Sequence, residues 1–286
     1  MFLQAPTDVQ REKIFNLPGG VIGLVGLFLA IHAMRVYLMT PDDDAWLFRT
    51  FAYVAGRVTF TFDPDAVAAA LTDLASASDD TQLAIARFLL GNGSLQPWTA
   101  VTYGFLHADW MHVILNSLWL VAFGAPVAQR LGPLRFLLLF AAGTVLGALA
   151  HHLMHPVQFV PLVGASAGVS AIMAAACRFV FQPGGPLGPA DRLTYDPQEA
   201  VRTPSIALAD SWKDRRILQF VAAWFLINLA VGFLAVPLGM TQNGIAWEAH
   251  IGGFIAGFFF FRLFDPWDGQ GNRRGNRHGN RPAASP

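Results

Sequence analysis

The sequence predicts an all-α, polytopic membrane protein in which six membrane-length helices gather into a bundle, and three observations predict it. The 286-residue chain is 54% hydrophobic and only 13% charged, with a mean hydropathy of +0.43, where a water-soluble domain carries about 25% charged residues. Its charges crowd outside six long apolar stretches. Each stretch approaches or exceeds the roughly 20 residues a helix needs to cross about 30 Å of hydrocarbon. Basic and acidic residues number 19 each, which excludes the clustered basic excess of a nucleic-acid partner. The single cysteine, Cys177, excludes an internal disulfide.

The elements follow in order. A cytoplasmic N-terminal segment, 1–17, leads into a first span at 18–39, which is too long for a signal peptide and lacks a small-residue cleavage pattern. Residues 40–106 form an outer loop with eight acidic and three basic residues, aromatic in its first part and suited to the membrane interface. Its later part reads as two short helices, one capped by Asp63 with Pro64 in the first turn, the other capped by Asp80 and ending at Gly91. Further spans are expected at 107–125, 133–153, 161–181, 217–236 and 246–264, with a cytoplasmic linker at 182–216 and a disordered tail from 265 to 286. With the N-terminus inside, fifteen of the nineteen Lys and Arg residues fall on the cytoplasmic side, which places both termini there. The short soluble parts suit a multi-pass protein of a bacterial inner (plasma) membrane.

Polar residues that interrupt apolar spans are costly and need a reason. Here they are His107, His112 and Asn116 in the second span, Ser166 in the fourth, and Glu248 and His250 in the sixth. These three spans run in the same direction, so residues early in each share a depth near the outer face. His112 and Asn116, four apart, project from one helical face. Ser166 lies in GASAG between Gly164 and Gly168, where small neighbours leave its hydroxyl exposed. Ala249, Gly253 and Gly257 recur at four-residue spacing, a ridge that lets the sixth span pack backbone-close on the fourth. A serine, a histidine and two nearby side-chain donors are the components of acyl transfer: nucleophile, general base and oxyanion stabilisers.

HADWMHVILN, GASAG and AHIGG, in that order on the second, fourth and sixth spans, resemble the three signatures of the rhomboid family of intramembrane serine proteases, and the resemblance extends over residues 18–264. It implies a six-helix, rhomboid-like bundle with a cavity open to water. Ser166 would be the nucleophile and His250 the base of a dyad. The oxyanion would be held by the Ser166 N–H with His112 and Asn116, and His107 would support the outer loop. The reaction would be hydrolysis of a peptide bond in or beside the transmembrane helix of a membrane-protein substrate, with the lipid bilayer as surroundings and no cofactor, metal or nucleic acid. The chain departs from the usual family pattern at Ala167, where glycine is common, at Trp98-Thr99 in place of Trp-Arg, and at Ser170, where the best-known bacterial members carry a tyrosine.

Competing readings leave fewer residues explained. GASAG also fits the nucleophile elbow of soluble α/β hydrolases, but that needs a strand before it and a soluble sheet around it. A non-catalytic relative that binds membrane helices for quality control would be marked by loss of Ser or His, and both are present. A transporter calls for polar residues at mid-membrane on several helices. His151, His152 and His155 suggest a metal by spacing, yet the loop at 152–160 holds no cysteine or carboxylate, so they read as interfacial. His107 and His112 are five apart and lack the helical spacing of a zinc pair. Glu248 lies about 200° round the helix from His250 and is expected to point elsewhere, and Asp109 reads as interfacial.

Overall fold

Helix succeeds helix because caps and prolines punctuate apolar runs. The computed structural model describes residues 17–77, 79–189, 196–234, 236–237 and 244–267. The expectations for residues 1–16, part of the cytoplasmic linker and most of the C-terminal tail lie outside these. Helix α1 spans Gly19–Leu38. The segment expected as an outer loop folds into α2 (Pro41–Phe51), α3 (Ala55–Phe62), α4 (Pro64–Ser76), α5 (Asp80–Leu90) and α6 (Thr99–Thr102), followed by a 3₁₀ turn at Tyr103–Phe105. After it come α7 (Trp110–Leu131), α8 (Pro133–Met154), α9 (Ser166–Cys177), the short α10 (Pro197–Ala200) and α11 (Leu208–Ser211), α12 (Arg215–Leu234) and α13 (Trp247–Phe264).

The caps account for most of these boundaries. Thr40 and Asp43 form a reciprocal capping box on α2. Asp63 accepts from the Ala66 N–H ahead of Pro64, as the sequence indicates. On α5 the cap is Asp79, not Asp80, because the side chain one residue earlier reaches the Gln82 N–H. Asp109 caps α7 by accepting from the His112 N–H at 2.8 Å, so this helix starts at 110 and its third residue, His112, is fixed in the first turn.

Among the described residues, four helices are long and apolar enough to cross a membrane: α1, α7, α8 and α12. The other two expected spans differ. α9 is apolar but has 12 residues, about 18 Å at 1.5 Å each, and α13 carries Glu248, His250 and Arg262 among its apolar residues. α9 sits at the centre, with Ala167 to Cys177 all buried, wrapped by α7, α8 and α13. α12 packs at the edge, chiefly on α13, and exposes Leu226, Ile227 and Phe233. Large apolar side chains facing outward all round α1, α7, α8 and α12 are a liability in water and are at home in hydrocarbon.

Two glycine contacts set the central packing. A Cβ on Gly253 would lie 2.0 Å from the Ala167 carbonyl oxygen, and one on Gly257 would lie 1.8 Å from that of Ala171. Both obstacles are backbone, so α13 and α9 touch along their main chains, as the small-residue ridge indicates.

At the opposite end, buried charges staple the linker to the bundle. Arg130 at the end of α7 makes a bidentate pair with Asp265 (3.0 and 2.8 Å) and donates to the carbonyls of Val201 and Thr203, both at 2.7 Å. Both side chains of the pair are fully buried. In the outer loop, Arg57 holds α3 to α5 through the Leu89 and Arg49 carbonyls and Gln96. Burial, with Arg49 beside it, pulls the Arg57 pKa down to about 10, so it stays charged at neutral pH.

Candidate active site

Ser166 is the first residue of α9, rather than a position one turn inside a longer helix. The expected fourth span starts five residues earlier, because 161–165 is apolar, but that stretch is irregular backbone. Such backbone, buried away from water, persists only when its polar groups are satisfied, and here the segment between α1 and α7 satisfies them. Tyr53 and Leu162 exchange backbone hydrogen bonds of 3.2 and 2.8 Å, the Gly56 N–H donates to Gln158 O, and the Gly164 N–H donates to Tyr103 O. The Ala165 N–H is directed at His107 Nε2, 3.4 Å away. His107 therefore supports the segment that delivers Ser166, a more specific position than the outer-loop role expected of it.

Gly164 completes the turn with φ +118°, a conformation that favours glycine. A Cβ there would lie 2.6 Å from His112 Nε2 and 3.8 Å from Asn116 Nδ2. The bare backbone thus lets both side chains of α7 close on the start of α9. Asn116 is buried, and its Nδ2 has no acceptor among the described residues. α9 has no side-chain N-cap, so the N–H groups of its first turn are left without intrahelical acceptors. Unpaired backbone and side-chain donors therefore face the same place.

His250 lies three residues before Gly253 on α13 and Ser166 one residue before Ala167 on α9, so at 1.5 Å per residue the Gly253–Ala167 contact leaves the two offset by about 3 Å along the helix axes. Among the described residues no hydrogen bond joins Ser166 to His250. The imidazole is held from its other side: Nδ1 is 2.5 Å from Asn228 Oδ1 of α12. With a carbonyl oxygen as partner, Nδ1 carries the proton and Nε2 keeps its lone pair. Asn228 escaped the sequence reading, although an Asn in the middle of an apolar span whose other polar residue, Gln219, sits near its end was the signal that would have found it.

Other neighbours sharpen the picture. The methyl of Ala167 fits because Gly147 of α8 has no side chain, a Cβ there falling 2.5 Å from it. Arg35 is buried, pairs with Asp44 at 2.6 Å, donates to the His107 carbonyl and lies 4.3 Å from the centre of the Phe48 ring. It anchors α2 and the His107 turn to α1. Glu248 points away from His250, as expected, but towards α8, where its carboxylate meets His151 Nδ1 at 2.6 Å and His155 Nε2 at 3.7 Å. The sequence reading found no carboxylate within the 152–160 loop. The fold brings one from α13.

Comparison with known proteins agrees with this architecture. A family model described as the Rhomboid domain matches residues 94–187 and 203–265, which is more than half of the chain. The chain belongs to the rhomboid family. Among curated relatives it is 35% identical over 78 residues to Rhomboid-related protein 2 of Mus musculus, covering 27% of this chain and 25% of that protein. It is 31% identical over 80 residues to the Putative rhomboid protease YdcA of Bacillus subtilis, covering 28% of this chain and 40% of that one. It is 36% identical over 80 residues to Rhomboid-related protein 3 of Homo sapiens, covering 28% and 19%. The matched segment thus spans less than half the length of these relatives. Family membership and the long apolar helices make this rhomboid an integral membrane protein.

Proposed function

We propose that this rhomboid is an intramembrane serine endopeptidase that hydrolyses a peptide bond in or beside the transmembrane helix of a membrane-protein substrate. In this reading the membrane domain is 18–264, α9 and α13 join α1, α7, α8 and α12 as spans, and both termini are cytoplasmic. The observation that carries the proposal is the seating of Ser166 at the uncapped start of α9, on a helix that packs backbone-close against the helix of His250, whose Nδ1 is held by Asn228.

The chemistry follows from that arrangement. Ser166 Oγ attacks the scissile carbonyl carbon and gives its proton to His250 Nε2. Asn228 keeps Nδ1 protonated and so stabilises the imidazolium that forms. The negative charge on the former carbonyl oxygen is met by the Ser166 N–H, the Asn116 amide and His112, while the helix N-terminus favours the same charge. The imidazolium then protonates the leaving amine. Water, activated by the same nitrogen, hydrolyses the acyl-serine. Burial of Asn116 Nδ2 without a partner fits a donor waiting for an anion, since a satisfied structural amide would already be bonded.

A serine-directed fluorophosphonate tests the nucleophile without knowledge of the substrate. The wild-type protein in detergent should be labelled at Ser166 and the Ser166→Ala variant should not. Equal labelling of both would overturn the assignment, and absence of labelling in a folded wild type would favour a non-catalytic helix-binding relative.

A further inference from the structure

We propose that His151, His155 and Glu248 form a binding site for one divalent transition-metal ion, zinc being the best match to the donors. The site is separate from the Ser166 machinery and does not depend on the peptidase reading. His151 is in the last turn of α8, His155 is the residue that ends it, and Glu248 is the second residue of α13. One ligand atom from each lies within 4.8 Å of the other two.

The donor set suits zinc, and the two distances to the carboxylate lie on either side of the spacing zinc needs. Two imidazoles and a carboxylate, with a fourth position open to water, are one of its recurring three-ligand combinations. Ligands at about 2.0–2.2 Å in a tetrahedron stand about 3.3 Å apart. The two contacts to the Glu248 oxygen, 2.6 Å from His151 Nδ1 and 3.7 Å from His155 Nε2, bracket that spacing. Rotamer adjustments of less than an ångström would equalise them. The shorter contact is a hydrogen bond, so a metal entering here replaces the proton that His151 and Glu248 share. With the metal on Nδ1 the imidazole carries its proton on Nε2, which is buried with no partner among the described residues, so the metal bonds must also cover the cost of that unpaired N–H.

Access and surroundings are also favourable. His155 is exposed whereas His151 and Glu248 are buried, so an ion from solvent meets an exposed ligand first and two buried ones behind it. The buried carboxylate offsets one of its charges. The bound ion would clasp the end of α8 to the start of α13 at the point where Gly147, one turn before His151, already touches the Ala249 carbonyl.

The test is calorimetric. The full chain, purified in detergent through a tag free of histidine and stripped with chelator, is titrated with zinc chloride, and the same is done for His155→Ala and Glu248→Gln. Loss of groups that only orient a metal ligand already costs about 10–100-fold in affinity. The wild type should bind one zinc per chain, raising its melting temperature, and each variant should bind at least tenfold more weakly. His155 is exposed, so its alanine variant keeps the fold. No binding by the wild type, or equal affinity in the wild type and His155→Ala, would overturn the site and leave His151–Glu248 as a hydrogen-bonded clasp alone.

Discussion

Replacing Gly253 with alanine adds a single methyl group at the contact that sets α13 against α9. The new carbon would sit 2.0 Å from the Ala167 carbonyl oxygen, 2.7 Å from its carbonyl carbon and 2.9 Å from its Cα. Carbon and oxygen approach to about 3.3 Å at closest, so the helices must part by roughly 1.3 Å, and no side-chain rotation relieves the clash because every obstacle is main chain. Overpacking of this kind costs about 1–3 kcal/mol of stability. Its effect on cleavage should be larger than that figure suggests. His250 is one turn from the methyl and Ser166 is adjacent to the carbonyl, so the displacement falls between nucleophile and base, where an error of about 1 Å costs about 10²-fold in rate. The assay is cleavage of a reporter with a helix-breaking transmembrane segment in liposomes, with thermal unfolding measured in parallel. Gly26→Ala is the control, since a Cβ there meets nothing within 4 Å and alanine is the better helix former. A Gly253→Ala protein that cleaves and melts like the wild type would refute the claim that backbone contact positions the site.

Further perturbations probe other parts of the account. Asn228→Ala frees His250 Nδ1 and should lower kcat by about ten- to a hundredfold, part of the 10²–10⁴ that a positioned base supplies, with KM unchanged; an unchanged kcat removes Asn228 from the mechanism. Asn116→Ala should cost ten- to a thousandfold in kcat, the scale of one oxyanion donor, while leaving unfolding unaltered, and an intact rate would exclude its role. Asp265→Ala strands the fully buried Arg130 guanidinium and should destabilise by about 3–5 kcal/mol, read as a lower melting temperature. A shift of a degree or less would mean that Arg130 is satisfied by the Val201 and Thr203 carbonyls alone.

Much of the site was legible because a membrane penalises polar residues and so makes each one informative. His112 and Asn116 at four-residue spacing, Ser166 among glycines and the glycine ridge after His250 could all be read from the chain, and the structure packs the elements that carry them together. What could not be read depends on burial that arises from distant segments. The stretch 161–165 is as apolar as a helix, but Tyr53 and Tyr103 from the 40–106 loop and His107 just after it satisfy its backbone and spare it from being one, which makes α9 short and puts Ser166 at a helix start. Arg35 is buried because Asp44 and the His107 carbonyl come to it from other elements, which the local sequence does not show. The His151–Glu248 contact joins residues 97 apart, so no local window of sequence contains both. Asp79 in place of Asp80 as the cap of α5 is a one-residue ambiguity that the sequence leaves open when two aspartates are adjacent.

The central claim is that Ser166 and His250 together break a peptide bond within the membrane. Cleavage of the transmembrane reporter by wild-type protein in liposomes, measured beside Ser166→Ala and His250→Ala at equal folded concentration, tests it most directly. The account predicts a defined cleavage product with the wild type and none with either variant; a Ser166→Ala protein that produces it at the wild-type rate would contradict the account.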